Sequence, residues 1–350
     1  MKRSILIILA VGIASLAAQQ AALPITQYDY AIPENNVSPI AIGMGGLNLT
    51  YSGDPYCSYS NPALLAEVEQ SSLVTSFRLA NDEEMSILEA TSLSNTLKDK
   101  QFKYFSLSTK KAAFTYQPMS RVNISEIIAE NGVNYNLYHD FMLDKVQLSI
   151  AAKDEERSAL SAGLNLKYLS GRLVYLKERR IGSTTFTREA FIDDKVRGFS
   201  TDLGFTLDRE TFKFGLTAYD LFSRLYWENY SSKPIQSRIG LGAAWVDDNM
   251  LISMGLQGKI SKSTDTTYHL GFQNSWSWGQ NYNQAGRPIQ HSILLRLGLY
   301  SQDFYGTKNI HFTMGSGYNY SIFRFDFSVN SAGMILKESE YLFSLGVGLP

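Results

Sequence analysis

The side chains able to do chemistry in this 350-residue chain are few and scattered. Its four histidines, His139, His269, His291 and His311, lie far apart. No two stand at the i, i+4 spacing that lets one helix face offer two imidazoles to a metal. Ser292 follows His291 directly. Neighbours on a strand point to opposite faces, so these two cannot act as nucleophile and base. The pairs Asp193-Asp194 and Asp247-Asp248 fall in expected connections, where solvated charge explains them without acid–base work across a substrate. Gly43-Met44-Gly45-Gly46 lacks the strand before and the helix after that a phosphate cradle needs. Cys57, the single cysteine, has no basic neighbour to favour its thiolate and reads as a small buried filler. The expectation is a protein that is not an enzyme, with no cofactor and no metal.

The elements that carry these residues alternate with period two. Leu160, Ala162, Leu164, Leu166 and Tyr168 oppose Ser161, Gly163, Asn165 and Lys167. Phe199, Leu203, Phe205 and Leu207 oppose Ser200, Asp202, Gly204 and Thr206, and Phe325 and Leu345 sit in similar runs near the C-terminus. One apolar face and one polar or glycine face is the pattern of a half-buried strand. Composition agrees, with 13% aromatic residues, mostly Tyr and Phe, and only 19% charged. The net charge of −1 leaves no electrostatic footprint for nucleic acid.

Residues 1–19 read as an export signal: basic Lys2-Arg3, an apolar run from Ile5 to Ile13, then small Ser15, Ala17 and Ala18. No later apolar stretch approaches a membrane helix. Reading every alternating run gives about fourteen strands between residues 71 and 349. Expected connections alternate in length. Those at 81–101, 119–135, 172–195 and 223–234 are long, whereas 109–110, 208–210 and 247–249 are tight. Loops sorted in this way describe an up-and-down barrel in an outer membrane rather than a soluble β-sandwich. The connection at 276–288 is long where a tight turn is due. Trp227, Trp245, Tyr300 and Tyr341 suit the aromatic girdles of such a barrel. Its outward positions would include Leu164, Leu166, Phe205, Phe214, Leu241, Phe325 and Leu345. Lys167, Asp202, Lys213 and Arg324 would face the lumen.

Before the first strand stand Ile42-Gly43-Met44-Gly45-Gly46-Leu47-Asn48-Leu49-Thr50, then Ser52-Gly53-Asp54-Pro55, then Ser60-Asn61-Pro62-Ala63-Leu64-Leu65. That order resembles the N-terminal signature of the PorV/PorQ family of outer-membrane proteins, relatives of the FadL-like transporters of hydrophobic compounds. The run from Gly198 to Leu207 and the run from Leu160 to Leu173 resemble later strands of the same family. The resemblance implies a fourteen-stranded transmembrane barrel at 71–350 with an N-terminal plug at 20–70. The plug motif would be Gly43, Gly45, Gly46, Asp54, Asn61, Pro62 and Ala63. Their chemistry suits a structural role: glycines permit positive φ and close approach, Asp54 bonds amides in its turn, and Asn61 caps a short helix begun by Pro62.

Two functions follow as expectations. The resemblance implies a non-catalytic platform for type IX protein secretion and surface attachment, with secretion-system or exported cargo proteins as partners beside outer-membrane lipid. The alternative is a FadL-like channel for small hydrophobic compounds. Outer-membrane barrels that are proteases or lipases form a third class, which no residue pattern here supports. Localisation would be the outer membrane of a Gram-negative-type bacterium. The polar residues assigned to the lumen favour the platform, and the outer loops 81–101, 119–135 and 172–195 would carry its contacts.

Overall fold

A computed structural model describes residues 37–79, 100–154, 159–182, 185–260, 262–282, 288–301, 310–332 and 339–349. The expected signal at 1–19 and nearly all of the expected loop 81–101 lie outside the described residues. Fifteen strand segments form one antiparallel sheet. They are β1 (Ser72–Leu79), β2 (Lys100–Thr109), β3 (Ala112–Glu130), β4 (Val133–Lys153), β5 (Leu160–Arg180), β6 (Phe186–Arg209), β7 (Phe212–Tyr219) and β8 (Arg224–Trp227). The sheet continues through β9 (Arg238–Asp247), β10 (Met250–Lys259), β11 (Lys262–Tyr282), β12 (Pro288–Ser301), β13 (Ile310–Tyr320), β14 (Phe323–Ala332) and β15 (Glu340–Gly348). Pairing of β1 with β15, with Phe77 opposite Phe343, closes the ring. A closed ladder is what lipid demands, since an open edge would leave backbone groups unpaired.

Both β7 and β8 pair with β6, so they are two halves of one stave and the barrel has fourteen. Ala218 faces Leu203 while Trp227 faces Val196, so two extra residues are inserted between the halves. Asp220 turns the chain there at φ 55°, and the Leu221 amide keeps one bond to the Thr201 carbonyl at 3.0 Å. The insertion works as a bulge that re-aims the strand.

Outward faces are apolar. Leu166, Phe205, Phe214, Leu241, Phe325 and Leu345 are exposed and Leu164 is half-buried, while Asp202 on the other face is buried. The aromatic girdles differ from those expected. Trp227 and Tyr300 take the inward parity of their strands, whereas Trp245 and Tyr341 share the outward parity of Leu241 and Leu345. Trp276, Trp278, Tyr318, Tyr320 and Phe323 crowd the outward face at the tight-turn end instead. Tyr168, Phe199 and Tyr226 stand on the outward face toward the other end.

Two expected outer loops are strands. The stretch 119–135 continues β3 into β4 through a two-residue turn, Asn131-Gly132, with φ of 52° and 78°. Asn-Gly supplies the two positive φ values that a hairpin twist requires. Likewise 172–195 lengthens β5 and β6 to 21 and 24 residues. Their charges join the ladder rather than solvating a loop. Arg172 forks onto Asp193 at 2.7 and 2.8 Å, Lys177 meets Glu130 at 2.6 Å, and Arg121 pairs with Asp144. Asp193 and Asp194 therefore belong to β6, one facing out and one in, and are not a solvated connection. At the opposite end, β11 and β12 run on past Ser275 as a projecting hairpin, which accounts for the long connection expected at 276–288.

Candidate functional site in the barrel lumen

Residues 37–66 are mostly buried and pack against the inner face of the strands, whereas Glu69 and Gln70 are exposed. Ser38 caps a single helical turn, α1 (Pro39–Gly43), by accepting the Ala41 amide at 3.0 Å. Gly45 and Gly46 then reverse the chain with φ of 81° and 82°. A second turn, α2 (Cys57–Ser60), leads to a 3-10 helix, Pro62–Glu67. Asn61 caps that helix by accepting the Ala63 amide at 3.1 Å, with Pro62 at its first position. The helix is therefore tighter than an α-helix, and it buries Ala63, Leu64 and Leu65 completely.

A belt of inward-facing glycines receives this segment. A Cβ on Gly163 would lie 2.3 Å from the Pro62 carbonyl carbon, and one on Gly204 2.1 Å from Asn61 Oδ1. The same holds for Gly215 against the Leu49 carbonyl oxygen at 2.1 Å, Gly271 against that of Met44 at 2.3 Å, and Gly298 against the Gly45 amide at 2.1 Å. No real side chain fits at such distances, so the segment lies with its main chain flat on the wall from β5 to β12. These glycines take the inward parity of their strands, and their chain neighbours include the lipid-facing Phe205, Phe214, Leu216, Leu270 and Leu297. On the lipid side of the thinnest part, an apolar groove of about 590 Å³ is lined by Phe205, Phe214, Leu241, Met254 and Leu256.

Polar groups hold the segment on its other sides. Asp54 is fully buried; it accepts from the Tyr56 amide and Ser38 Oγ at 2.9 Å and from Asn48 Nδ2 at 3.1 Å. Burial raises its carboxyl above the ordinary value, against the pull of these bonds and of Arg324. Arg324 donates to the Gly53 carbonyl at 2.7 Å and pairs with Asp326, which Arg296 clamps from the other side at 2.9 Å. Lys213 reaches Glu67 at 3.0 Å and Asp208 at 3.1 Å. Lys167 bridges Asp202 at 2.6 Å and Asp220 at 3.0 Å, beside the strand insertion. Burial, with Asp54 beside it, pushes the Cys57 thiol up, which suits a filler rather than a nucleophile.

The four histidines share no site. His269 meets the Gly45 carbonyl at 2.6 Å and stacks on Tyr300, which stacks on His311. His139 packs edge-on to Tyr175, and His291 lies outside in the lower aromatic cluster, 2.8 Å from the Tyr318 hydroxyl.

Above the segment the lumen changes character. Phe141, Leu143, Leu169, Leu173, Ile192, Val196, Leu225 and Trp227 form one buried cluster on the inner face of β4, β5, β6 and β8. Tyr230 and Ile235, from the 228–237 segment that follows β8, pack against it. That segment is fastened by polar bonds. Asn229 donates to Asp194 through both its amide and its side chain, at 3.2 and 2.8 Å, and Lys233 bridges to Leu225. At the cluster's lower edge Lys145 is buried, its ammonium 4.9 Å over the Tyr59 ring, and it forms no ion pair among the described residues. An apolar wall bounded by a few fixed polar groups is the usual build of a small-molecule site.

The expected lumen residues Lys167, Asp202, Lys213 and Arg324 belong to the lower, polar half. The apolar half is not among the expected site residues, although Leu169 and Leu173 continue the parity of Asn165 and Lys167 into the stretch 172–195 expected as a loop. The glycine belt is likewise present in the sequence, as glycine on the polar parity of strand after strand.

No protein-family model matches the chain, and no curated protein matches it by sequence. Solved structures do. The Pseudomonas putida toluene transporter TodX matches with a TM-score of 0.52 at 10% identity, over 91% of this chain and 98% of that one. The CymD monoaromatic hydrocarbon channel matches with a TM-score of 0.51 at 11% identity, over 90% of this chain and 98% of the other. A Pseudomonas aeruginosa FadL homologue has a TM-score of 0.49 at 11% identity, covering 91% and 98%. At such identities the likeness establishes the fold, an outer-membrane type of closed β-barrel.

Proposed function

We propose that the chain forms a passage for small hydrophobic compounds across an outer membrane. The apolar cluster of the upper lumen would be its binding surface, and the segment 37–70 its closure. The observation that carries this reading is the buried apolar face on the lumen side of β4, β5, β6 and β8. A barrel that served only as a scaffold would have no use for it, because the salt-bridged lower lumen already shows how this wall is filled with polar side chains. A hydrophobic solute would replace Tyr230 and Ile235 on that face once the 228–237 segment swings away. The two solved neighbours of highest likeness above are described as a toluene transporter and a hydrocarbon channel, which supports the same reading.

The type IX secretion platform has less support. Its case rests on the resemblance and on the polar residues assigned to the lumen. Of the three outer loops expected to carry its contacts, two are regular hairpins, several of whose charges are paired across the ladder. Uptake of N-phenylnaphthylamine into proteoliposomes tests the proposal. Leu169→Asp and Phe141→Asp, each placing a carboxylate in the apolar face, are expected to slow uptake about tenfold or more while the barrel stays folded. Unchanged uptake in folded variants would overturn it.

A further inference from the structure

On the outward face of β5, β6 and β8 the apolar wall ends in a checkerboard of aromatic and cationic side chains. Phe199 lies between Tyr168 on β5 and Arg224 on β8. One step further from the tight-turn end, Arg197 faces Tyr226, and beyond it Lys195 faces Arg172. Phe199, Arg197, Lys195, Arg224 and Tyr226 are all exposed, and they alternate with the buried inward residues of the same strands. Below this level β6 offers lipid Thr201, Leu203, Phe205 and Leu207.

The charges here are not balanced. Arg172 is spent on Asp193 and Arg121 on Asp144. Lys195 and Arg197 make no ion pair within 4.0 Å among the described residues. Arg224 uses only its Nε, donating to Ser232 Oγ at 2.8 Å, which leaves both terminal nitrogens of its fork free of that bond. Glu228 follows β8, its amide bonded to the Lys195 carbonyl. Against Lys195, Arg197 and Arg224 stand Glu228 and, beside Arg172 on the same outward face, Asp140, so positive charge is in excess.

We propose that Lys195, Arg197 and Arg224 form a site for the phosphate of an outer-leaflet lipid headgroup. Height decides the occupant. These cations begin where the lipid-facing band gives way, level with the aromatic residues that mark a membrane–water interface. A phosphate at that height lies beside cations on two adjacent strand segments, where its oxygens can accept from both guanidinium forks and from the Lys195 ammonium. The acyl chains of such a lipid would lie on Phe199, Leu203 and Phe205 below. The site is on the outside of the barrel, so it stands whether or not the lumen conducts hydrophobic compounds.

Native mass spectrometry of the full-length protein in detergent tests it, with bisphosphorylated lipid A and the same lipid after phosphatase treatment as probes. The intact barrel is expected to retain the phosphorylated lipid at least tenfold more than the dephosphorylated one. The triple variant K195Q/R197Q/R224Q is expected to lose that preference while remaining folded by heat-modifiability on a gel. The double variant R172Q/D193N, which removes an already paired couple, is expected to keep it. Equal retention of the two lipids by the unaltered protein would overturn the proposal. So would full retention by the triple variant, or preferential capture of an acidic peptide over the lipid.

Discussion

Asn61 joins the lumen segment to the barrel wall through one amide group: its Oδ1 caps the 3-10 helix, and its Nδ2 donates to the Phe205 carbonyl at 3.1 Å. The same nitrogen also reaches the Leu49 carbonyl at 3.0 Å. Asn61→Ala therefore removes a helix cap and leaves one wall carbonyl, that of Phe205, and one carbonyl of the segment itself, that of Leu49, without that donor, a loss of about 1–3 kcal/mol. Cys57 is the only cysteine and is fully buried beside the segment's core, so its rate of maleimide labelling reports undocking. Labelling is expected to rise about tenfold or more in Asn61→Ala, with the barrel still folded. Unchanged labelling would show that the bond does not hold the segment.

The glycine belt makes a sharper demand. A Cβ at Gly298 would stand 2.1 Å from the Gly45 amide, whereas at Gly182 nothing lies within 4 Å. Gly298→Ala is expected to displace the segment and speed Cys57 labelling, at an overpacking cost of about 1–3 kcal/mol. Gly182→Ala is the control and should match the unaltered protein. Equal labelling of both would mean that the segment does not rest on the wall there.

Lys167 neutralises Asp202 and Asp220 at the strand insertion, and both carboxylates are buried. Lys167→Met would strand two negative charges, a penalty of about 3–5 kcal/mol for a broken buried pair. Lys167→Met with Asp202→Asn and Asp220→Asn removes the charges together and should restore most of the loss. Thermal unfolding in detergent reads both outcomes. A single variant as stable as the parent would contradict the network.

Asp54 gives the docking a pH dependence of known sign. Its carboxyl is raised when buried in the docked segment, so docking takes up a proton. That contribution is complete below the ordinary carboxylate value and is lost as pH rises through the docked one. Labelling of Cys57 in the parent, divided by labelling in Asp54→Asn at the same pH, is expected to fall as pH is lowered from about 7 toward 4. A constant ratio would remove Asp54 from the account.

Much of the wall was legible in the sequence because lipid imposes strict alternation on any strand that crosses it. Leu166 and Phe205 could not be placed inside without moving their whole strands. The hairpins above the membrane were misread as loops because water imposes no such alternation: Arg172, Asp193, Lys177 and Glu130 read as solvated charge until their cross-strand pairing is seen. The Asn131-Gly132 turn was a local signal that the reading passed over. Trp227 and Tyr300 lie on the lumen face rather than in a girdle, because an aromatic residue near a strand end suits a girdle and a lumen equally well and parity alone decides. The split between β7 and β8 has no mark in Asp220-Leu221-Phe222-Ser223 beyond the tolerance of Asp for positive φ.

Hydrophobic compounds should lodge on the lumen face of β4, β5, β6 and β8. Anomalous diffraction from crystals of the barrel soaked in bromobenzene locates them. A bromine peak is expected between Phe141, Leu169 and Trp227, with Tyr230 and Ile235 moved off that face. Bromine found only in the lipid-facing groove beside Phe205, Leu241 and Leu256, with the lumen face unchanged, would contradict that placement.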